Sequence, residues 1–186
     1  MPQTQKNNFI EIVARTLNFV DPRLVDHGKR VGVILSEMLS DYPKELVGKL
    51  CVTALIHDIG AYRTEEIDRI VAFETHDVWE HSIYGSLILQ EFPPFDKLAE
   101  TVLYHHADRA ARKNLDPETA FLSQVLHAAD RADIFLAHTE RPDKELLEQL
   151  YHSDLFDHKV ISLLEDAMKR HDLRSYSRDY PLQELI

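Results

Sequence analysis

The chain has 186 residues, with 32 acidic side chains against 21 basic ones and a formal net charge of −11. This balance excludes a generic binder of nucleic-acid polymers, which needs a basic face to displace counterions. No apolar run approaches the roughly 18 residues of a membrane-spanning helix, and the N-terminus lacks a signal-peptide core. We therefore expect a cytoplasmic protein with no membrane segment. Cys51 is the single cysteine, which excludes an internal disulfide and predicts a buried, unreactive thiol.

Apolar residues recur at helical spacing along the chain and predict an all-α protein. The predicted helices cover 8–20, 22–25 to 40, 43–58, 77–92, 95–108, 118–138, 143–151 and 157–171. The stretch 61–75 is either a short helix or an ordered loop, and Gly60 is expected to cap the third helix. We expect a single compact helical-bundle domain over 1–186, with the first helix and the C-terminal tail peripheral.

Histidine is the unusual component, with eleven in the chain. Five of them, together with two aspartates, fall on apolar helix faces or at the ends of apolar helices. These seven are His27, His57, Asp58, His81, His105, His106 and Asp130. Burying such groups without partners costs several kcal/mol, and bound metal ions would remove that penalty. Any one of them, taken alone, is more simply a hydrogen-bonded core residue, but the joint pattern predicts a metal centre.

Seven ligands exceed the need of one tetrahedral ion, so we expect two divalent metal ions that share a carboxylate. The ligand types suit borderline divalent ions such as iron, manganese, zinc, nickel and cobalt. We expect iron or manganese first, with magnesium as a further alternative. Such a centre is locally positive, so it attracts a phosphate and lowers the pKa of a bound water. His127 is a candidate supporting residue, and the remaining histidines are expected on the surface: His76, His138, His152, His158 and His171.

The order of these residues resembles the HD-domain superfamily of metal-dependent phosphohydrolases, and is most similar to its HD-GYP family of cyclic di-GMP phosphodiesterases. The similarity covers about 20–170. It rests on HDIG at 57–60, EHSIYGSLIL at 80–89, YHH at 104–106, AADRADIFLAHTERP at 128–142 and FDHKVISLLEDA at 156–167.

The resemblance implies an HD-type helical bundle and a phosphodiesterase acting on a cyclic dinucleotide or a related small nucleotide. It assigns one metal to His27, His57, Asp58 and Asp130. It assigns the second metal to Asp58 as the bridge, with His81, His105 and His106. A hydroxide between the metals would attack phosphorus in line, which makes His57 and Asp58 the catalytic residues.

Four features depart from the family pattern. Ala61 stands where the family has a lysine after HDIG, and Ala107 stands where it has a glutamate after the paired histidines. The Gly-Tyr-Pro loop is absent. Arg23 replaces a glutamate that holds a third metal in some members, so we expect no third metal. The metal ligands are thus present while the substrate-recognition features differ.

Basic residues after the ligand pair could replace the missing substrate contacts. Arg109, Arg112 and Lys113 could grip a phosphate, although an ordinary solvated loop is the alternative. Two other functions stay open: a phosphomonoesterase on nucleotides or small phosphates, and a non-catalytic metal-containing signalling module, which Ala61 favours. The expected partner is a small phosphate-containing substrate. A homodimer or a signalling partner protein is the further expectation.

Overall fold

The computed structural model describes residue 12 and residues 26–61, 79–93 and 95–175. Within these ranges the regular structure is helical and no strand occurs, which confirms the all-α prediction. Several predictions fall outside the described residues: most of the helix at 8–20, the stretch 62–75, Arg23, His76 and the tail after Ser175. The described α-helices are α1 His27–Met38, α2 Lys44–Ile56, α3 Trp79–Gln90, α4 Ala99–Leu103, α5 Arg109–Arg112, α6 Pro117–His138, α7 Asp143–His152 and α8 His158–Arg170.

The predicted continuous helix at 95–108 is wrong. A 3-10 helix at Phe95–Leu98 leads into α4, which ends at Leu103, so His105 and His106 lie in the turn that follows. The residues after this turn, Arg109–Arg112, form the short helix α5. The carboxylate of Asp108 accepts a hydrogen bond from the backbone N–H of Ala111 at 2.7 Å and caps the start of this short helix. A cap at that position begins a new helix rather than continuing the old one.

The long helix α6 crosses the interior of the fold. Asp116 starts it, because its carboxylate accepts the backbone N–H groups of Glu118 and Thr119 at 3.0 and 3.1 Å. Pro117 follows, at a position where its missing N–H leaves nothing unsatisfied. The helix extends about 33 Å at 1.5 Å per residue, and every residue over 122–136 is buried. α6 therefore carries Asp130 deep into the protein.

Two clusters of buried apolar side chains hold the helices together. The larger joins α1, α2, α6, α7 and α8, and the smaller joins α2, α3, α4 and the 3-10 helix before α4. Helix α2 contributes to both, with Leu50 and Ala54 in the larger cluster and Leu55 and Ile56 in the smaller one. The C-terminal end of α2 thus lies where the clusters meet, and His57 follows it directly.

Two glycines allow helices to approach closely near this point. A Cβ added to Gly60 would lie 2.1 Å from the carbonyl oxygen of His81, and one added to Gly28 would lie 2.8 Å from that of Ala54. No described glycine has a positive φ, so the expectation that Gly60 is a capping residue is wrong. Glycine is needed there because the turn after α2 lies against the backbone of α3.

The single cysteine is buried, as predicted. Its Sγ lies 3.5 Å from the carbonyl oxygen of Gly32, between α2 and α1. Burial raises the pKa of the Cys51 thiol to about 11, so the thiol stays protonated and poorly nucleophilic at neutral pH.

Candidate metal centre

The seven candidate ligands meet in one buried cluster, although they come from five separate parts of the chain. They lie at the start of α1, after α2, in the first turn of α3, after α4 and in the middle of α6. Each is 9% exposed or less. The set consists of His27, His57, Asp58, His81, His105, His106 and Asp130. Helix packing therefore brings together all the residues that the sequence singled out as ligands.

The ligand atoms fall into groups of three whose members lie within 4.8 Å of one another. One group joins His27, His57 and Asp130, and another joins His81, His105 and His106. Asp58 forms a further group with His57 and His105, one residue from each of the others. This arrangement supports the expected division into two metal positions that share Asp58.

The two carboxylate oxygens of Asp58 face different neighbours. Oδ2 lies 3.6 Å from Nε2 of His27, whereas Oδ1 lies 3.3 Å from Nε2 of His57 and 3.6 Å from Nε2 of His81. A carboxylate placed between two imidazole groups in this way can offer one oxygen to each of two cations. The geometry is suited to a bridging role.

Backbone carbonyl groups fix the orientation of two of the imidazole rings. Nδ1 of His57 lies 2.8 Å from the carbonyl oxygen of Ala54, and Nδ1 of His105 lies 2.6 Å from that of Val102. A carbonyl oxygen can only accept, so the proton is on Nδ1 in both rings. In the neutral ring Nε2 then carries the lone pair, which is the arrangement that metal-binding histidines use.

A carboxylate, rather than a backbone carbonyl group, fixes the orientation of the His27 ring. Nδ1 of His27 donates to Oδ2 of Asp133 at 2.7 Å. Arg30 holds the same carboxylate through Nε at 2.7 Å and Nη2 at 3.0 Å. The sequence reasoning missed Asp133 and this role of Arg30. The available signal was the three-residue spacing of Asp130 and Asp133, which puts both on one face of α6.

The charges divide the centre into two unlike halves. Burial disfavours the protonated ring of His27, but Asp130, Asp133 and Asp58 outweigh it and raise its pKa to about 10. Burial lowers the pKa of His105 to about 3, and the neighbouring rings of His81 and His57 act in the same direction. Burial likewise holds the pKa of His106 well below its usual range, so His105 and His106 are neutral imidazoles, whereas the half around His27 is rich in carboxylates.

Buried atoms without hydrogen bonds test whether these residues fit metal ions. Among the described residues, Nε2 of His27, Nε2 of His57 and Oδ2 of Asp58 are buried and have no hydrogen bond of acceptable geometry, although Nε2 of His27 lies 3.1 Å from Oδ1 of Asp130. Leaving such a group unsatisfied costs about 1–3 kcal/mol. All three atoms are metal-ligand types and all three face the cluster, so the residues fit divalent cations.

His127 lies beside the centre without belonging to either ligand group. Its buried ring is 4.8 Å from the ring of His106 and 4.9 Å from that of Phe156, and its Nδ1 has no hydrogen-bond partner among the described residues. Burial and the charge of Arg131 hold the pKa of His127 well below its usual range. Four of the five histidines predicted on the surface are exposed, namely His138, His152, His158 and His171.

The three basic residues expected to grip the substrate lie elsewhere. Arg109, Arg112 and Lys113 line a separate cavity, and none of the seven candidate ligands lines it. Arg109 pairs with Asp157 at 3.0 Å, while the guanidinium of Arg112 donates to the carbonyl oxygen of Leu155. No hydrogen bond or ion pair among the described residues joins these three to a candidate ligand, and their role toward a substrate stays a prediction.

Among the described residues, no helix is both long and apolar enough to cross a membrane.

Two comparisons with known proteins relate this chain to a family. Residues 24–172 match the model of the HD domain family. The chain is similar to the 3'3'-cGAMP-specific phosphodiesterase 1 of Vibrio cholerae serotype O1, with 27% identity over 127 residues, 65% of this chain and 29% of that protein. It thus spans less than a third of that relative's length. No solved structure matches the chain significantly. Since the family match extends over well more than half of its length, the chain belongs to the HD domain family.

Proposed function

We propose that this protein is a metal-dependent phosphohydrolase whose His/Asp cluster holds two divalent metal ions, with iron or manganese favoured. The observation that carries the proposal is the set of buried ligand atoms at His27, His57 and Asp58 that lack hydrogen bonds. Membership of the HD family and the phosphodiesterase named in the comparison support the reaction class. We further propose one domain over 1–186, since α2 contributes to both hydrophobic clusters.

As substrate we propose a cyclic dinucleotide or a related small nucleotide. The name of the Vibrio relative supports this class. Charge supports a compact anion: two divalent ions against Asp58 and Asp130 leave the centre about two charges positive, inside a chain of net charge −11. Such a centre attracts a small phosphate, while the protein as a whole repels a long polyanion.

When bound, the two ions supply a water of lowered pKa and the positive charge that offsets the charge developing on the phosphoryl group. The protein's own residues would hold the two ions and orient the nitrogen atoms that face them. Asp58 faces both halves of the cluster, and the Nδ1 hydrogen bonds of His57 and His105 keep their Nε2 lone pairs directed inward. Burial of the ligands excludes bulk water, which strengthens electrostatic interactions at the site.

The test is metal content and turnover of the purified full chain. Metals are counted by mass spectrometry, and hydrolysis is assayed with cyclic dinucleotides, mononucleotides and a bis-aryl phosphate. Asp58→Asn should lower phosphodiester cleavage by about 100-fold or more, because it weakens the shared ligand. Asp166→Asn is the matched control, since its carboxylate lies on the surface beside Lys169.

The other functions that the sequence left open appear as distinct outcomes. Release of inorganic phosphate from mononucleotides, without cleavage of any diester, indicates a phosphomonoesterase. Stoichiometric bound metal without turnover of any of the three substrate classes contradicts the enzymatic proposal and indicates a metal-containing signalling module.

A further inference from the structure

A cavity lies beside α5, and none of the seven candidate metal ligands lines it. Its volume is about 530 Å³, and it is lined by α5, the first turns of α6 and the segment 154–157. This volume falls in the range of small-molecule pockets, about 300–1,000 Å³. The cavity is large enough for a small ligand, and the chemistry of its walls indicates which kind.

Arg112 is the most informative residue in the wall. It is 3% exposed, yet its Nη1 has no hydrogen-bond partner among the described residues. Its Nη2 donates to the carbonyl oxygen of Leu155, and its Nε donates to that of Asp108 at 3.3 Å. Within the described part of the chain it makes no ion pair. A buried cation with a free N–H favours an anion as its missing partner.

The guanidinium of Arg112 remains charged at neutral pH. Burial lowers its pKa to about 10, and the charges of Asp157 and Asp108 oppose that effect only in part. The carboxylates nearby are therefore too few or too distant to compensate the buried charge.

The other charges of the cavity leave it positive. Asp157 is already engaged, since Oδ1 lies 3.0 Å from Nη2 of Arg109 and Oδ2 accepts from Nε2 of Gln124 at 3.0 Å. Asp154 is almost fully exposed, at 91% of its side chain. Lys113 is exposed and makes no ion pair with a described residue. Three cations against two carboxylates give a lining of net charge +1.

We propose that this cavity binds the phosphate group of a small molecule through Arg112 and Lys113. Arg112 offers the buried, directional N–H group and Lys113 adds charge at the mouth, while the Arg109–Asp157 pair forms part of the wall. This site does not depend on whether the metal centre is catalytic.

Helix α6 connects the cavity with the metal centre. Gln124 lines the cavity, and Asp130 lies six residues later, about 9 Å along the helix axis. Between them, His127 contacts both His106 and Phe156. The phosphate could therefore belong to the substrate of the proposed reaction or to a separate effector, and kinetics separates these two sources.

The binding test uses inorganic phosphate as the probe, with calorimetry on the full chain. Lys113→Gln removes an exposed charge, and Ala120→Leu fills the cavity without changing any charge. Lys144→Gln is the matched control, because Lys144 is exposed and does not line the cavity. Arg112 itself is left unchanged, since its bonds to Leu155 and Asp108 also stabilise the fold.

Each protein is measured in an Asp58→Asn background and in the presence of a chelator, so that phosphate bound by metal ions does not contribute. We expect phosphate binding to persist in that background, to weaken at least ten-fold with Lys113→Gln and with Ala120→Leu, and to be unchanged with Lys144→Gln. Two results would overturn the proposal. One is the absence of phosphate binding in the Asp58→Asn protein. The other is a phosphate affinity in the Lys113→Gln and Ala120→Leu variants that equals the affinity of the Asp58→Asn parent. Failure of the metal centre to hydrolyse any substrate leaves this result unaffected.

Steady-state kinetics of proteins that keep Asp58 then identifies the molecule that carries the phosphate. If it belongs to the substrate, Lys113→Gln raises KM and leaves kcat unchanged, and added phosphate competes. If it belongs to an effector, added phosphate alters kcat in the unmodified chain and loses that effect with Lys113→Gln. Both results presuppose the bound phosphate that calorimetry detects.

Discussion

Nδ1 of His27 and Oδ2 of Asp133 form a 2.7 Å hydrogen bond that joins residues 106 positions apart in the sequence. The bond connects the first turn of α1 to the middle of α6, and Arg30 holds the carboxylate from its other side. The carboxylate accepts the proton of Nδ1, and Nε2 of His27 then faces Asp58 and Asp130, at 3.6 and 3.1 Å. Asp133 therefore positions a candidate metal ligand without being one.

The first prediction concerns Asp133. In Asp133→Asn the amide oxygen still accepts from His27, but the charge that pairs with Arg30 is lost. Metal affinity should fall about 10–100-fold, as is typical when the partner of a ligating histidine is changed. Competition with a chelator measures it, with circular dichroism as the check on folding.

Asp143→Asn provides the matched control, because Asp143 also accepts from an arginine, Arg174, but lies away from the centre. Equal metal affinity in Asp133→Asn and in the unmodified chain would contradict the positioning role.

The second prediction concerns the number of metals. Asp58 faces both halves of the cluster, so Asp58→Ala should lose both ions. His106 belongs to one ligand group, so His106→Ala should retain about one ion. The number of metal ions per chain is measured for each variant after gel filtration. His158→Ala is the control, because His158 is exposed. Two ions retained by Asp58→Ala would exclude the bridge.

The third prediction concerns Gly60. A methyl group there would lie 2.1 Å from the carbonyl oxygen of His81, which is backbone and cannot turn aside. Gly60→Ala should therefore destabilise the protein by about 1–3 kcal/mol or more, as overpacking does, and should weaken metal binding by displacing α3. Urea unfolding measures the stability.

Gly48 is the matched comparison for Gly60. It lies within α2, and an added Cβ would meet no atom within 4 Å. Gly48→Ala should stabilise the protein by about 0.5–1 kcal/mol, because alanine favours the helix. If the two variants had similar free energies of unfolding, the close approach of α3 to Gly60 would not contribute to stability.

The fourth prediction concerns pH in the metal-free protein. His105 has its pKa lowered to about 3, so below pH 6.5 the unfolded chain binds a proton that the folded chain does not, and stability falls as the pH decreases. His27 has its pKa raised to about 10, so its contribution is complete below pH 6.5 and is lost as the pH rises toward 10. Stability should be greatest near pH 6.5.

Urea unfolding in a chelator across pH 4–10, about the range over which both groups act, measures this profile. Saturating Mn²⁺ should oppose the alkaline decline, since a metal ligand must be deprotonated. Stability that rises steadily from pH 6.5 to pH 9 without metal would contradict the proposed charge state of His27.

Most described helices were predictable because their signals are local. Apolar periodicity placed α1, α2, α3, α6, α7 and α8 within a few residues of their bounds. The error at 95–108 arose because two local signals compete there. Periodicity favours continuing the helix, whereas the side chain of Asp108 caps a new one.

The sequence alone determined which seven side chains to examine, because buried imidazoles and carboxylates on apolar helix faces need partners wherever they lie. Only the tertiary structure decided how those partners are arranged. The opposite-facing oxygens of Asp58, the support of His27 by Asp133, and the turning of Arg112 toward Leu155 all depend on helices distant in sequence. No local pattern encodes them, since each results from how whole helices pack.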